Sequence, residues 1–190
     1  MKPRLLFLIA ATIGLVVIVE YRLSQPDEGQ QLIASDEFPM ALAPSFAGYD
    51  PEMHLFRLKS YVGRQALFVV FCGEQKDAAA DANVIHLTAH QDAVAAKGIR
   101  VVVVTRNLPQ ENRKLNLPAE FDLISDFEQT KTGELFKAHK SFRCFDAQAE
   151  LPLAKIFFID RAGNVPVNEG TPVGLVHPDT DIDRLLGVTH

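Results

Sequence analysis

Apolar residues along this chain come in short blocks, separated by polar or glycine-bearing breaks, and block length decides the elements. Residues 66–71 (ALFVVF) and 99–105 (IRVVVVT) are continuous β-forming runs. They are too short for stable helices and predict strands buried on both faces. Between them, residues 76–97 are rich in Ala and contain neither Gly nor Pro. Ala78, Ala82, Ile85, Ala89 and Val94 share one stripe there, so the segment predicts an amphipathic helix that Gly98 stops. Strand, helix, strand is a βαβ unit, which implies parallel strands and a right-handed crossover. Downstream, residues 109–115 predict a short helix, 121–124 (FDLI) a strand and 132–140 a helix. Residues 155–160 and 165–168 predict a hairpin with Gly163 in its turn. Residues 178–186 predict a closing helix, with Pro178 in its first turn and Asp179, Asp181 and Asp183 near its positive end. The order specifies a mixed sheet with helices on both faces, an α/β fold.

The N-terminus follows a different pattern. Lys2 and Arg4 precede an uncharged run from Leu5 to Val19. As a helix it spans roughly 22 Å, short of a ~30 Å hydrocarbon core, and it can lengthen if Tyr21 lies in the interface. The residues after it, Glu20 to Ser24, offer no small-x-small cleavage site. The expectation is an uncleaved signal-anchor over residues 1–21, a single transmembrane helix, in preference to a cleaved signal. In both cases the C-terminal domain is exported to the periplasm or an equivalent extracytoplasmic space. Residues 22–42 (SQPDEGQQ, then ASDEFP) read as a polar tether, and one globular pattern runs from Ala43 to His190.

Composition narrows the function. The 190 residues carry 19 Lys plus Arg and 24 Asp plus Glu, a net charge of −5. Without Lys2, Arg4 and Glu20 the exported part keeps 17 basic and 23 acidic residues, net −6. That balance excludes a general nucleic-acid binder and a domain built to lie on anionic lipid. Two cysteines exclude a four-cysteine zinc site and leave room for one disulfide or one redox pair. There is no Trp.

Several short motifs, in order, resemble the thioredoxin-like superfamily and, within it, the redoxins of the alkyl hydroperoxide reductase/thiol-specific antioxidant type with their membrane-anchored thioredoxin relatives. Ala43-Pro44-Ser45-Phe46 resembles the opening motif, and Phe56-Arg57-Leu58, Tyr61 and Gly63-Arg64 the next element. ALFVVF resembles the strand before the active-site loop, and Leu123-Ile124-Ser125-Asp126 the L-x-D strand end. Residues 158–165 (FIDRAGNV) resemble the I-D-x-x-G-x-V of the last hairpin. The resemblance implies a thioredoxin-like mixed sheet flanked by helices over residues 43–190.

The family's catalytic marks are absent or displaced. In an ungapped alignment from Phe71, Lys76 and Ala79 occupy the positions of the C-x-x-C cysteines, with no Trp before them. The P-x-x-x-T-x-x-C motif of peroxiredoxins is also missing, since residues 72–77 (CGEQKD) hold neither Pro nor Thr. Ala154 stands where the family has its cis-proline, and Pro152 lies two residues early.

Two residues remain as candidate thiols. Cys72 directly follows a strand whose C-terminal end faces the ligand side of an α/β sheet. Cys144 lies in the loop before the last hairpin, where Arg143 is expected to lower its pKa and where it can approach Cys72. The rim of Gly73, Glu74, Gln75 and Lys76 is the candidate binding surface. His86 and His90 stand at i, i+4, but HLTAH lacks the Glu of H-E-x-x-H and no third ligand is evident, so no metal site is assigned. No cofactor is implied. Two functions stay open. One is a non-catalytic exported binding or scaffolding domain. The other is a thiol–disulfide oxidoreductase or peroxiredoxin-like antioxidant enzyme, with Cys72 attacking, Cys144 resolving and a protein thiol or disulfide as partner.

Overall fold

The structure is a computed structural model that describes residues 38–74, 77–127 and 136–188. The expected membrane helix, most of the tether, and Gln75 and Lys76 of the candidate rim lie outside the described residues. No helix among the described residues is long and apolar enough to cross a membrane.

The βαβ unit forms as its sequence dictates. Strands β4 (Ala66–Phe71) and β5 (Ile99–Thr105) pair in parallel from Ala66 opposite Ile99 to Phe71 opposite Val104. Strand β6 (Phe121–Ser125) adds in parallel to β5, and β9 (Lys155–Ile159) runs antiparallel to β4. An antiparallel pair, β2 (Ala47–Tyr49) and β3 (Leu55–Arg57), extends the other edge, giving the order β3-β2-β6-β5-β4-β9.

Side-chain alternation along β4 divides the core in two. Phe68, Val70 and Cys72 pack on one face with Val84, Leu87, Val94, Ile182 and Leu185. Leu67, Val69 and Phe71 pack on the other with Phe46, Phe142, Cys144 and Val165. A sheet covered on both faces needs strands that are apolar throughout, which is why ALFVVF is buried at every position.

Three expectations are corrected. The long helix is broken into a 3₁₀ turn at Ala78–Ala80, α1 (Ala82–Ala89) and α2 (Gln91–Ala96). Asp77 and Asp81, both extended, accept hydrogen bonds from Ala79 N and Asn83 N, so Asp77 starts the 3₁₀ turn and Asp81 starts α1, while α2 begins at His90 without a side-chain cap. Each restart shifts the phase, so Val84 and Leu87 face the core while Ile85 is 56% exposed. The last hairpin is closed at its turn by Asp160 N donating to Asn164 O. Its second strand, β10 (Asn164–Asn168), then leaves β9 and pairs with β1 (Met40–Leu42) and β11 (Thr171–Pro172) in a separate three-stranded sheet. Strand β1 is the third correction: residues read as tether are a strand of the domain. The remaining elements are the short helices α3 (Pro109–Asn112) and α4 (Lys137–Ser141), the two-residue strands β7 (Phe145–Asp146) and β8 (Leu151–Pro152), and α5 (Pro178–Leu186), which begins at Pro178.

Candidate functional site at the ends of the parallel strands

Strands β4, β5 and β6 end side by side, and Cys72, Gly73 and Glu74 follow the first of them. Cys72 prolongs β4 by one residue, its N–H donating to Val104 O at 2.9 Å. Its side chain turns into the core beneath α1, fully buried. Burial pushes its pKa strongly up, and the Asp81 carboxylate at the start of α1 adds to the rise. Burial first, and the carboxylate that caps α1 second, therefore disfavour a thiolate here.

Cys144 follows α4 on the opposite side of the sheet, also fully buried, with its S–H donating to Phe142 O at 3.5 Å. Burial pushes its pKa up to about 12 against a modest opposing pull from Lys155. Arg143, expected to activate it, is exposed in a left-handed conformation and does not contribute. Both cysteines are free thiols. Because they pack into the cores on opposite faces of the sheet, the structure does not bring the two sulfurs together.

The two backbones do meet. A Cβ on Gly73 would lie 3.2 Å from Ala154 N and 3.6 Å from Pro152 O, so the turn after β4 rests directly on the segment before β9. Cys144 O accepts from Leu153 N at 2.8 Å, which ties the Cys144 loop to the same place. No cis peptide bond occurs among the described residues, the Pro152 and Ala154 positions included. Of the rim, Gly73 is buried and Glu74 exposed.

The residue pair that organises this end of the sheet was not singled out in the sequence: Asp126 and His139. Asp126 follows β6, and its N–H donates to Thr105 O at 2.8 Å. Its carboxylate accepts from Ala138 N and His139 N, each at 2.9 Å, and contacts His139 Nδ1 at 2.6 Å. His139 Nε2 lies 3.0 Å from Cys72 O. A carbonyl oxygen only accepts, so Nε2 carries a proton and donates. One further proton is held between Nδ1 and the Asp126 carboxylate. The pair is almost wholly buried, with the Phe71 ring packed edge-on against the imidazole at 5.0 Å. It pins the end of β4, the end of β6 and the start of α4 to one another. Beside it, Thr105 Oγ1 donates to Asn112 Oδ1 at 3.0 Å, and Ser125 Oγ donates to Asn107 O. The signal for the pair was present: Ser125-Asp126 at a strand end, then a His in the next helix. The two stand thirteen positions apart, beyond any helix or strand spacing that would place them face to face.

His86 of α1 and His90, at its junction with α2, lie elsewhere, turned towards α5, and the structure adds a partner for both. Asp183 of α5 places Oδ1 2.8 Å from His86 Nε2 and 3.5 Å from His90 Nε2. A cleft of about 420 Å³ is lined by Phe38, Phe158, Pro166, Leu175, His177 and Arg184 among others, and not by either cysteine.

No protein-family model and no curated protein matches the chain in sequence. Solved structures do match in shape. The reduced 2-Cys peroxiredoxin of Plasmodium vivax superposes with a TM-score of 0.53 at 14% identity, over 77% of this chain and 92% of that one. A thiol peroxidase from Chromobacterium violaceum gives 0.50 at 16% identity, covering 80% and 88%. BsSco, of the Sco family of cytochrome c oxidase assembly proteins, gives 0.54 at 13% identity, covering 80% and 95%. The protein has the thioredoxin-like fold. At these identities the likeness is one of fold alone.

Proposed function

We propose that this is a membrane-anchored, exported protein of the redoxin type that has left thiol catalysis behind and uses the thioredoxin-like fold as a binding or scaffolding domain. The observation that carries the reading is the complete burial of both sulfurs on opposite faces of the sheet. Thiol–disulfide exchange needs a thiolate exposed to an incoming sulfur, and a resolving thiol within reach of the product. A disulfide needs Cα atoms within roughly 7 Å and Cβ vectors that converge. Here the attacking position points into the core, and Asp81 opposes ionisation. The missing C-x-x-C and P-x-x-x-T-x-x-C motifs support the same reading. The binding surface would be the rim after β4, with exposed Glu74 backed by Gly73, and with Gln75 and Lys76 next in sequence. The anchor and the export rest on the Lys2/Arg4 flank, the apolar run and the absence of a cleavage site after Val19.

The full-length protein in detergent tests this. Its thiols should not react with Ellman's reagent in the native state, and both should react in denaturant. Insulin reduction and peroxide consumption should stay at the blank rate. Peroxide consumption or insulin reduction that Cys72→Ser abolishes would establish the enzymatic reading instead. For topology, a reporter fused after His190 should be active outside the cytoplasm, and the protein should resist alkaline extraction from membranes.

A further inference from the structure

Where α1 gives way to α2, two imidazoles converge on a single carboxylate oxygen from another helix. His86 and His90 are one turn apart, with ring centroids 4.8 Å from each other. Both direct Nε2 towards Asp183 Oδ1, at 2.8 and 3.5 Å. The three ligand atoms lie within 4.8 Å of one another. In a tetrahedral site with bonds of about 2.0–2.1 Å, neighbouring ligand atoms stand about 3.3 Å apart. The two measured separations bracket that value, so small rotations of the side chains would admit an ion between them. On the far side of the His86 ring, Asp179 places Oδ1 3.7 Å from Nδ1. In the metal-free form the 2.8 Å contact is a hydrogen bond from Nε2–H to Asp183, so an ion on Nε2 displaces that proton and leaves the imidazole protonated on Nδ1, where Asp179 can accept it after a small side-chain rotation. This is the arrangement of an outer carboxylate, a histidine and zinc. Asp179 and Asp183 are themselves at i, i+4, so one face of α5 supplies both the ligand and the group that orients its neighbour.

We propose that His86, His90 and Asp183 form a binding site for a borderline divalent ion of the zinc type. The donors would be His86 Nε2, His90 Nε2 and an Asp183 carboxylate oxygen, with Asp179 orienting His86. Two imidazoles and one carboxylate suit zinc and its first-row neighbours, whereas calcium and magnesium prefer all-oxygen sets. The His86 and His90 side chains are each slightly under one-fifth exposed and Asp183 one-tenth exposed, so the ion has a route in. Three protein donors would leave a fourth position for water or an external ligand. Binding would tie the α1–α2 junction to α5. The site is independent of the cysteines and of the reading given above.

The experiment uses untagged full-length protein in detergent, stripped with chelator and then equilibrated with zinc sulfate. Zinc per chain is measured after gel filtration, and affinity by competition with a chromogenic chelator. Wild type should retain about one zinc per chain and melt at higher temperature with zinc than with EDTA. His90→Gln and Asp183→Asn should lose both effects. Asp179→Asn should retain zinc with an affinity about tenfold weaker or worse. His54→Gln, at an exposed histidine remote from the cluster in sequence, should change nothing. Should His86 or Asp183 variants fail to fold, His90→Gln alone decides, with circular dichroism confirming its fold. No retained zinc in wild type, or equal retention in His90→Gln, would overturn the site and leave a hydrogen-bonded clamp between the two helices.

Discussion

Asp126 and His139 hold most of the organisation at the end of the sheet, and their worth can be measured. The Asp126 carboxylate accepts two backbone N–H groups as well as the imidazole, and His139 supplies a donor to Cys72 O. Removing one partner of such a buried pair leaves the other unsatisfied, at a cost of about 3–5 kcal/mol. His139→Leu should therefore lower urea-unfolding stability by about that much, and a loss under about 1 kcal/mol would show the pair to be dispensable. The cysteines give a second prediction. Their pKa values are raised in the folded state, Cys144 to about 12 from an ordinary 9.0. The folded state then holds these protons more tightly than the unfolded chain does. Their contribution is fully present below the unfolded pKa and is lost as pH rises through the window from about 9 to about 12. Each thiol should add a slope of about 1.4 kcal/mol per pH unit in that window. Stability measured at pH 8, 9.5 and 10.5 should fall more steeply in wild type than in a Cys72→Ala/Cys144→Ala double variant, and parallel lines would contradict the assignment. At this scale the sequence places Cys72 directly after β4 and Cys144 in the loop ahead of β9, and both lie there. Their exposure was invisible to it, because alternation along β4 continues one residue past the apolar run and carries Cys72 into the core.

At the scale of elements, legibility depended on whether local pattern and tertiary pairing agreed. β4 and β5 were readable because burial on both faces writes an unbroken apolar run. α5 was readable because Pro178 and the acidic first turn mark its start, and Gly187 in a left-handed conformation its end. The helix after Cys72 was misread because a stretch free of Gly and Pro reads as one unbroken helix, whereas Asp77 and Asp81 are caps that each begin a new segment. The hairpin was misread because its turn is local while the destination of β10 is set by β1, more than a hundred residues away in sequence. Close approach at the far edge yields a further prediction. A Cβ on Gly48 of β2 would meet Ile124 Cγ2 at 2.5 Å and Ser125 O at 2.7 Å. The second contact is backbone, so the clash cannot be relieved by a side-chain rotation. Gly48→Ala should push the β2–β3 pair away from β6 and cost about 1–3 kcal/mol by chemical denaturation. An unchanged midpoint would mean that this edge yields without resistance.

At the scale of the whole molecule, the domain begins earlier than composition suggests. The polar stretch before Ala43 reads as tether, yet Met40–Leu42 pairs antiparallel with Asn164–Pro166. The docking continues beyond the strand on both sides, with Val167 N donating to Pro39 O and Ala43 N to Gly163 O, each at 2.9 Å. Phe38 lines the cleft beside β10 and α5. Three residues make a weak pattern, and Leu42, 73% exposed, gives no sign of burial in them. What fixes the strand is the otherwise open edge of β10, whose Val165 and Val167 are buried. A protein that begins at residue 38 should therefore fold with this edge closed, and one that begins at residue 43 should leave it open. Each lost backbone hydrogen bond is worth about 1 kcal/mol net, and some of the exposed groups will find water. The shorter version should thus be less stable by about 1–3 kcal/mol, or roughly 2–12 °C in Tm for a domain of this size. Its exposed β10 edge should also raise its tendency to self-associate, read by light scattering at increasing concentration. Equal melting temperatures for the two versions would show that β1 contributes nothing to stability and return the domain boundary to Ala43.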